Sequence, residues 1–188
     1  MTLLPELKLG VLNGWIFLAA YAGGFLIMLA TFSKDEKARL FVDPKLHLRG
    51  LKRVVLHFGQ VVAVTFIALM VFTPITYVTS LLVLGVGVFM LGFLTVLVAM
   101  QYFKRATEDQ PVIDGPYRIS RNPQWVGLFL VLLGSAITTG TWLLILMVLV
   151  VGVVYHLQIL EEENACKALY GESYQRYLSQ VARYSVWF

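Results

Sequence analysis

Long uncharged runs, separated by short clusters of charge, set the pattern of this 188-residue chain. The first run, Leu12 to Phe32, holds no Asp, Glu, Lys or Arg. It is long enough to span, because about 20 residues cross the hydrocarbon core of a bilayer. No basic cluster precedes it, and it is long for the apolar part of a cleaved signal peptide, so it reads as a span. Val54 to Phe72 predicts a second span, which carries His57 and Gln60. In "TPITY" the chain must turn, since Pro74 lacks the amide proton a helix would need. Tyr77 to Phe103 predicts a third span, and its Gly85, Gly87 and Gly92 let a neighbouring helix approach closely.

Between Gln124 and Leu160 there is again no Asp, Glu, Lys or Arg. As one helix that stretch would run to about 55 Å, against a core of about 30 Å. It must break, and "TTGT" (Thr138 to Thr141) is the place, because β-branched threonines and a glycine disfavour helix interior. The prediction is a hairpin with a short first arm, Gln124 to Ile137, and a longer second arm, Trp142 to Leu160. The expected fold class is an all-α integral membrane protein of about five transmembrane helices, ending in a cytoplasmic amphipathic helix. The chain reads as a single membrane domain over 1–188. Helices one and two fall within 1–76, and the half with helices three to five and the C-terminal tail falls within 77–188.

Composition supports this division. Only 14% of residues are charged and the mean hydropathy is +0.76, too apolar for a soluble domain of this length. Seven of the fifteen Lys and Arg lie between Ser33 and Arg53, four between Lys104 and Arg121, and three after Leu160. The two tight turns hold none. Under the positive-inside rule, both basic loops and the C-terminus are cytoplasmic and the N-terminus is outside, an arrangement suited to a multi-pass protein of a prokaryotic cell membrane. The net charge of +4 is thus an address within the membrane, and no nucleic acid is expected as a partner. One cysteine and three histidines make neither a disulfide framework nor a metal site. Oligomeric state stays open, since the glycines of the third span suit either internal packing or a dimer.

Three polar elements gather at the cytoplasmic side. "GPYRISRNPQW" places Tyr117, Arg118, Arg121, Asn122 and Trp125 directly before an apolar helix. Pro123 suits the first helical position and Asn122 the cap. Glu161, Glu162 and Glu163 stand at the C-terminal end of a membrane helix, where the helix dipole prefers cations. At least one of them is expected to meet a cation, such as a ligand amine or sulfonium; if the helix continues, Glu163 can pair with Lys167. In the tail, Tyr170, Tyr174, Tyr177, Val181 and Tyr184 recur on one helical stripe, suited to an interface or to the lid of a cofactor cavity. His156, inside the last span, is a candidate for proton transfer or for a plain interhelical hydrogen bond.

The ordered set "GPYRISRNPQW", an apolar hairpin, a glutamate pair and "YGESYQRYLSQVARY" resembles the isoprenylcysteine carboxyl methyltransferase-like family, which includes phospholipid methyltransferase-like proteins. The resemblance covers roughly Gln101 to Tyr184. Gly115, Tyr117, Arg118, Arg121, Asn122 and Pro123 fit its first motif. Glu162 and Glu163 fit the paired glutamates, and Tyr174, Tyr177 and Arg183 complete the pattern. Trp125 stands where tyrosine is usual, Asn122 where carboxyl methyltransferases mostly have histidine, and Gln158 where many members have arginine. These departures bear on the acceptor more than on the cofactor.

The resemblance implies S-adenosylmethionine at the cytoplasmic face, with a lipid or other lipophilic small-molecule acceptor reaching it from the bilayer. It assigns Tyr117, Asn122, Pro123, Trp125, Glu162, Glu163, Tyr174, Tyr177 and Arg183 to cofactor binding. Arg121, Glu162 and His156 are the candidates for catalysis: an amine acceptor would need Glu162 or His156 as base, and a thiolate would be helped by Arg121. The competing expectations are an NADPH-dependent membrane reductase of related architecture and a non-catalytic scaffold or transport-associated protein. A catalyst requires Arg121, Asn122 and Glu162 to converge on one cavity, whereas a scaffold would leave them solvated and apart.

Overall fold

The computed structural model describes residues 1–41, 50–107 and 110–184. Among them the chain forms seven α-helices, α1 (Trp15–Ala30), α2 (Lys34–Leu40), α3 (Leu51–Phe72), α4 (Thr79–Arg105), α5 (Pro123–Ile137), α6 (Trp142–Tyr170) and α7 (Glu172–Gln180). A 3-10 turn, Gly115–Arg118, stands between α4 and α5. β-pairing among the described residues is limited to two isolated bridges, Thr2 with Thr141 and Asn13 with Pro74.

Three helices are long and apolar enough to cross a membrane: α3, α4 and α6. The expected first span is shorter than its apolar run. Asn13, just ahead of α1, is buried, and its side-chain amide donates to the carbonyls of Lys8 and Val71 at 2.7 and 3.0 Å. That anchorage draws residues 12–14 out of the helix, and α1 keeps 16 residues, about 24 Å. α5 has 15 residues, about 22 Å, as its short arm predicts. α6 is the opposite case. It passes Leu160 and ends ten residues later at Tyr170, where Gly171 takes a φ of 55°. At 29 residues, about 44 Å, it exceeds the hydrocarbon core.

α4 and α5 pack antiparallel through their glycines. A Cβ at Gly92 would lie 2.6 Å from the Gly127 carbonyl and the Val131 amide, and one at Gly85 would lie 2.8 Å from the Gly134 carbonyl. The two backbones touch, as small residues permit in membrane helices. Gly87 faces open space, so the glycines of this helix serve internal packing at two positions and nothing visible at the third. α3 packs on the α5–α6 hairpin through Phe66, Met70, Ala136, Leu144 and Val148, and α1 with the residues just after it packs on α4 through Met28, Phe32, Val96 and Met100.

The N-terminal segment straps the two apolar turns together. Thr2 donates to Gly140, Trp142 donates to Thr2, and Lys8 donates to Phe72. Gly140, with a φ of 67°, makes the hairpin turn that "TTGT" predicts. The opposite end of the bundle, where α4 ends, α5 begins and α6 runs on, holds the polar residues.

Candidate functional site

The site is built on the turn before α5. Gly115 has a φ of 60°, and a Cβ there would strike the Tyr102 ring at 2.5 Å, so glycine is required twice over. Pro116 then starts the 3-10 turn, which buries Tyr117. The Tyr117 hydroxyl accepts from Gln124 Nε2 at 3.1 Å, and its carbonyl accepts from the Tyr177 hydroxyl at 2.6 Å. Pro123 opens α5, as expected. Asn122 occupies the cap position but makes no capping bond; its amide points toward Glu163 Oε1 at 3.4 Å.

The same turn holds the tail. The backbone amide of Arg121 donates to Ala182, and the Ser120 hydroxyl donates to the Arg183 carbonyl at 2.8 Å. Arg121 Nη1 donates to the carbonyls of Leu178 and Val181. Arg121 therefore spends its donors on the tail and on Glu163, to which its Nε lies at 3.1 Å and its Nη2 at 3.0 Å. This geometry clamps the tail to the turn before α5. It accounts for the polar side chains fixed at this turn.

The three glutamates separate by partner. Glu161 pairs with Lys52 of α3 at 2.8 Å and lies outside the cavity lining. Glu163 is 3% exposed and takes two cations, Arg121 and Arg183. Its pairing with Lys167 does not form, because Lys167 turns to Asn164 at 3.4 Å. A buried carboxylate held this way is a structural hub, since removing it leaves two guanidinium charges without their partner. The pairing also holds the Arg183 guanidinium above its ordinary pKa, through the hydrogen bond to Glu163. Glu162 is different. Its Oε2 accepts from Trp125 Nε1 at 3.0 Å and its Oε1 from Gln158 Nε2 at 3.3 Å, both neutral donors.

These residues surround a cavity of about 410 Å³. Tyr117, Arg121, Asn122, Pro123, Trp125, Glu162, Glu163, Tyr174 and Tyr177 all line it, although they come from three separate stretches of sequence. Its size falls within the ~300–1,000 Å³ typical of small-molecule sites. The Trp125 ring leans on Tyr155, with centroids 4.7 Å apart. Tyr174 and Tyr177 of α7 are each 6% exposed and pack with Ala99 and Tyr117. Burial pushes the phenols of Tyr117, Tyr174 and Tyr177 up, so all three are neutral donors near pH 7.

Two expected site residues sit elsewhere. Arg183 does not line the cavity; it acts on it through Glu163. His156 does not line it either, and its Nδ1 meets the Tyr184 hydroxyl at 2.7 Å, so the structure brings the histidine to the tail and not to the carboxylates. His57 is likewise engaged locally, with Gln60 at 3.0 Å. The lining also holds residues that sequence reasoning missed. Arg39 and Leu40 of α2 and Phe103 of α4 join it, and a basic segment read only for its topology gave no sign that one arginine folds over the end of α4.

Residues 60–173 match the family described as phospholipid methyltransferase. No curated protein and no solved structure matches the chain. The matched stretch runs from α3 to the start of α7, so it takes in the turn before α5 and the glutamates of α6, and leaves out Arg39, Tyr174, Tyr177 and Arg183. It covers more than half of the sequence, and the ordered motifs that carry the resemblance begin inside it. The chain belongs to the phospholipid methyltransferase family.

Proposed function

We propose that this protein transfers a methyl group from S-adenosylmethionine to an amine-bearing lipid at the cytoplasmic face of the membrane. The observation that carries this reading is the convergence of Trp125, Glu162 and the α7 tyrosines on one cavity within and beside the family-matched stretch. The donor set fits the cofactor. A carboxylate that lines the cavity beside the Trp125, Tyr174 and Tyr177 rings suits an ammonium or sulfonium cation. S-adenosylmethionine supplies an electrophilic methyl group on such a sulfonium.

The chain's own residues then have separable tasks. Glu162 draws the cationic parts of the ligands to one wall, and Trp125 holds its carboxylate in place. Glu162 is also the base best situated to take the proton an amine acceptor releases as its nitrogen gains the methyl group, whereas His156 lies outside the lining. Glu163, Arg121 and Arg183 keep the tail shut over the cavity, and Tyr174 and Tyr177 exclude water. Because methyl transfer is an in-line displacement, positioning and desolvation can supply much of the rate.

This reading includes a five-helix embedding with the N-terminus outside. It is supported by the placement of the site at the basic end of the bundle and of the strapped turns at the other. The first test is calorimetry of the detergent-purified protein with S-adenosylmethionine. Saturable binding in wild type that is lost in Glu162→Ala is expected. A folded wild type that fails to bind refutes the assignment.

A further inference from the structure

The chain ahead of α1 belongs to no part of the site, yet its backbone is tied across the end of the bundle opposite the cavity. Thr2 bonds with Gly140 and Trp142, Leu3 accepts from Leu143, Lys8 donates to Phe72, and Leu12 accepts from Ile75. Its side chains alternate. In "ELKLGVL" (Glu6 to Leu12) the two charged residues interleave with apolar ones, and residues 5–10 are neither helix nor turn. In an extended chain that pattern gives two sides. Glu6 and Lys8 do share one, since their side chains meet at 2.7 Å. The alternation puts Leu7 and Leu9 on the other, and both are exposed, Leu9 at 88%.

Helix length indicates what meets these leucines. α5 starts at the polar turn of Arg121 and Asn122 and reaches only about 22 Å to Ile137. A hydrocarbon core is about 30 Å thick, so with the polar turn at one boundary the far end of α5 falls short of the other. The strap lies on that far end, through the bonds of Thr2 to Gly140 and Trp142. Irregular backbone at such a depth is tolerated where protein groups satisfy it, as the strap's bonds do for the turns. The hydroxyls of Thr138 and Thr139 likewise donate to the carbonyls of Ser135 and Ala136, at 2.7 Å each. Trp15, Tyr77 and Trp142 are exposed at this same end, and they are residue types that favour the headgroup level. The strap also continues the exposed apolar side of α3, which ends in Val71 and Phe72.

We propose that residues 5–12 form an amphipathic strap embedded between headgroups and acyl chains in the leaflet opposite the cavity. Leu7 and Leu9 point to the acyl chains and the Glu6–Lys8 pair points to water. Because the two charges neutralise each other, the strap fits a zwitterionic surface and needs no anionic lipid. This contact does not depend on which reaction the cavity performs.

The test places an environment-sensitive fluorophore on Leu9→Cys or on Lys8→Cys, each in the full chain with Cys166→Ser, in nanodiscs of phosphatidylcholine. Phosphatidylcholine brominated near the top of its acyl chains and aqueous iodide serve as quenchers, with melting temperature as the check on folding. Brominated lipid is expected to quench the Leu9→Cys label several-fold more than the Lys8→Cys label, and iodide to show the reverse. Leu7→Cys and Glu6→Cys repeat the comparison, so a variant that fails to fold does not leave the question open. Iodide quenching both labels of a pair equally overturns the proposal, because the strap then stands in water. Equal quenching of both by brominated lipid removes the two-sided orientation and overturns it as well. A Leu9→Cys label that neither quencher reaches is covered by protein, such as a second copy of the chain, and that result also overturns it.

Discussion

Arg183 grips Glu163 at two points, Nε to Oε1 at 3.0 Å and Nη2 to Oε2 at 2.9 Å. Arg121 reaches the same carboxylate, so residues from α6, the turn before α5 and the segment after α7 share one buried charge. Glu163→Gln removes the charge and strands two arginines, and it should cost about 3–5 kcal/mol. Arg183→Gln should cost less, since Arg183 is 31% exposed and Arg121 keeps Glu163 paired. Melting in detergent and limited proteolysis near Gly171 would report both. A Glu163→Gln protein whose tail resists protease as wild type does would refute the clamp.

The contact of α4 with α5 makes a sharper prediction, because two glycines on one helix should respond oppositely. Gly92→Ala drives a methyl group into the Gly127 carbonyl and the Val131 amide, which are backbone and cannot swing aside. A loss of about 1–3 kcal/mol is expected from overpacking. Gly87→Ala meets nothing within 4 Å and should leave stability unchanged or raise it by about 0.5–1 kcal/mol. Equal effects of the two substitutions on the melting temperature would count against this packing.

Much of this architecture was legible in the sequence. Absent charge marks the apolar runs, Pro74 and Gly140 break them where backbone chemistry demands, and the motif around Arg121 to Trp125 announces a site. What was hidden needed three dimensions. Nothing in "EEE" says which carboxylate turns inward, because adjacent helical residues point about 100° apart and the tail chooses among them. The partners of Arg121 were hidden for a related reason. An arginine beside a glutamate pair suggests chemistry, but carbonyls of Leu178 and Val181, which no pattern identifies, claim its donors. Arg39 was invisible because its meaning depends on where α4 ends.

Trp125 offers a test of how Glu162 is held. The indole N–H donates to Glu162 Oε2 at 3.0 Å, and Trp125→Phe keeps most of the aromatic face while deleting that donor. A hydrogen bond to a charged group contributes about 1.5–3 kcal/mol, so affinity for S-adenosylmethionine should fall roughly 10- to 100-fold. Calorimetry gives the value directly. His156→Ala is the companion, since His156 lies outside the lining, and its binding constant should stay close to that of wild type. An unchanged constant in Trp125→Phe would mean that the indole does not position Glu162 for the cofactor.

The tyrosines set the behaviour of the tail in alkali. Burial raises the phenols of Tyr174 and Tyr177 above the ordinary value of 10.0, and that of Tyr117 with them. Once the tail is released, each phenol ionises near its ordinary value, so the open state sheds protons first as pH rises. The stability these groups contribute is whole below pH 10.0 and is lost as pH climbs toward their raised values. The closed protein should therefore show fewer tyrosinates just above that pH than its nine tyrosines would give when unfolded, followed by a cooperative rise as the tail detaches. Tyr177→Phe deletes the bond to the Tyr117 carbonyl, about 0.5–1.5 kcal/mol, and should move that rise to lower pH. Tyrosinate absorbance followed through an alkaline titration, beside protease sensitivity of the tail, measures both. If every tyrosine ionises together near pH 10.0 while the tail stays attached, the burial of these three phenols does not hold the tail down.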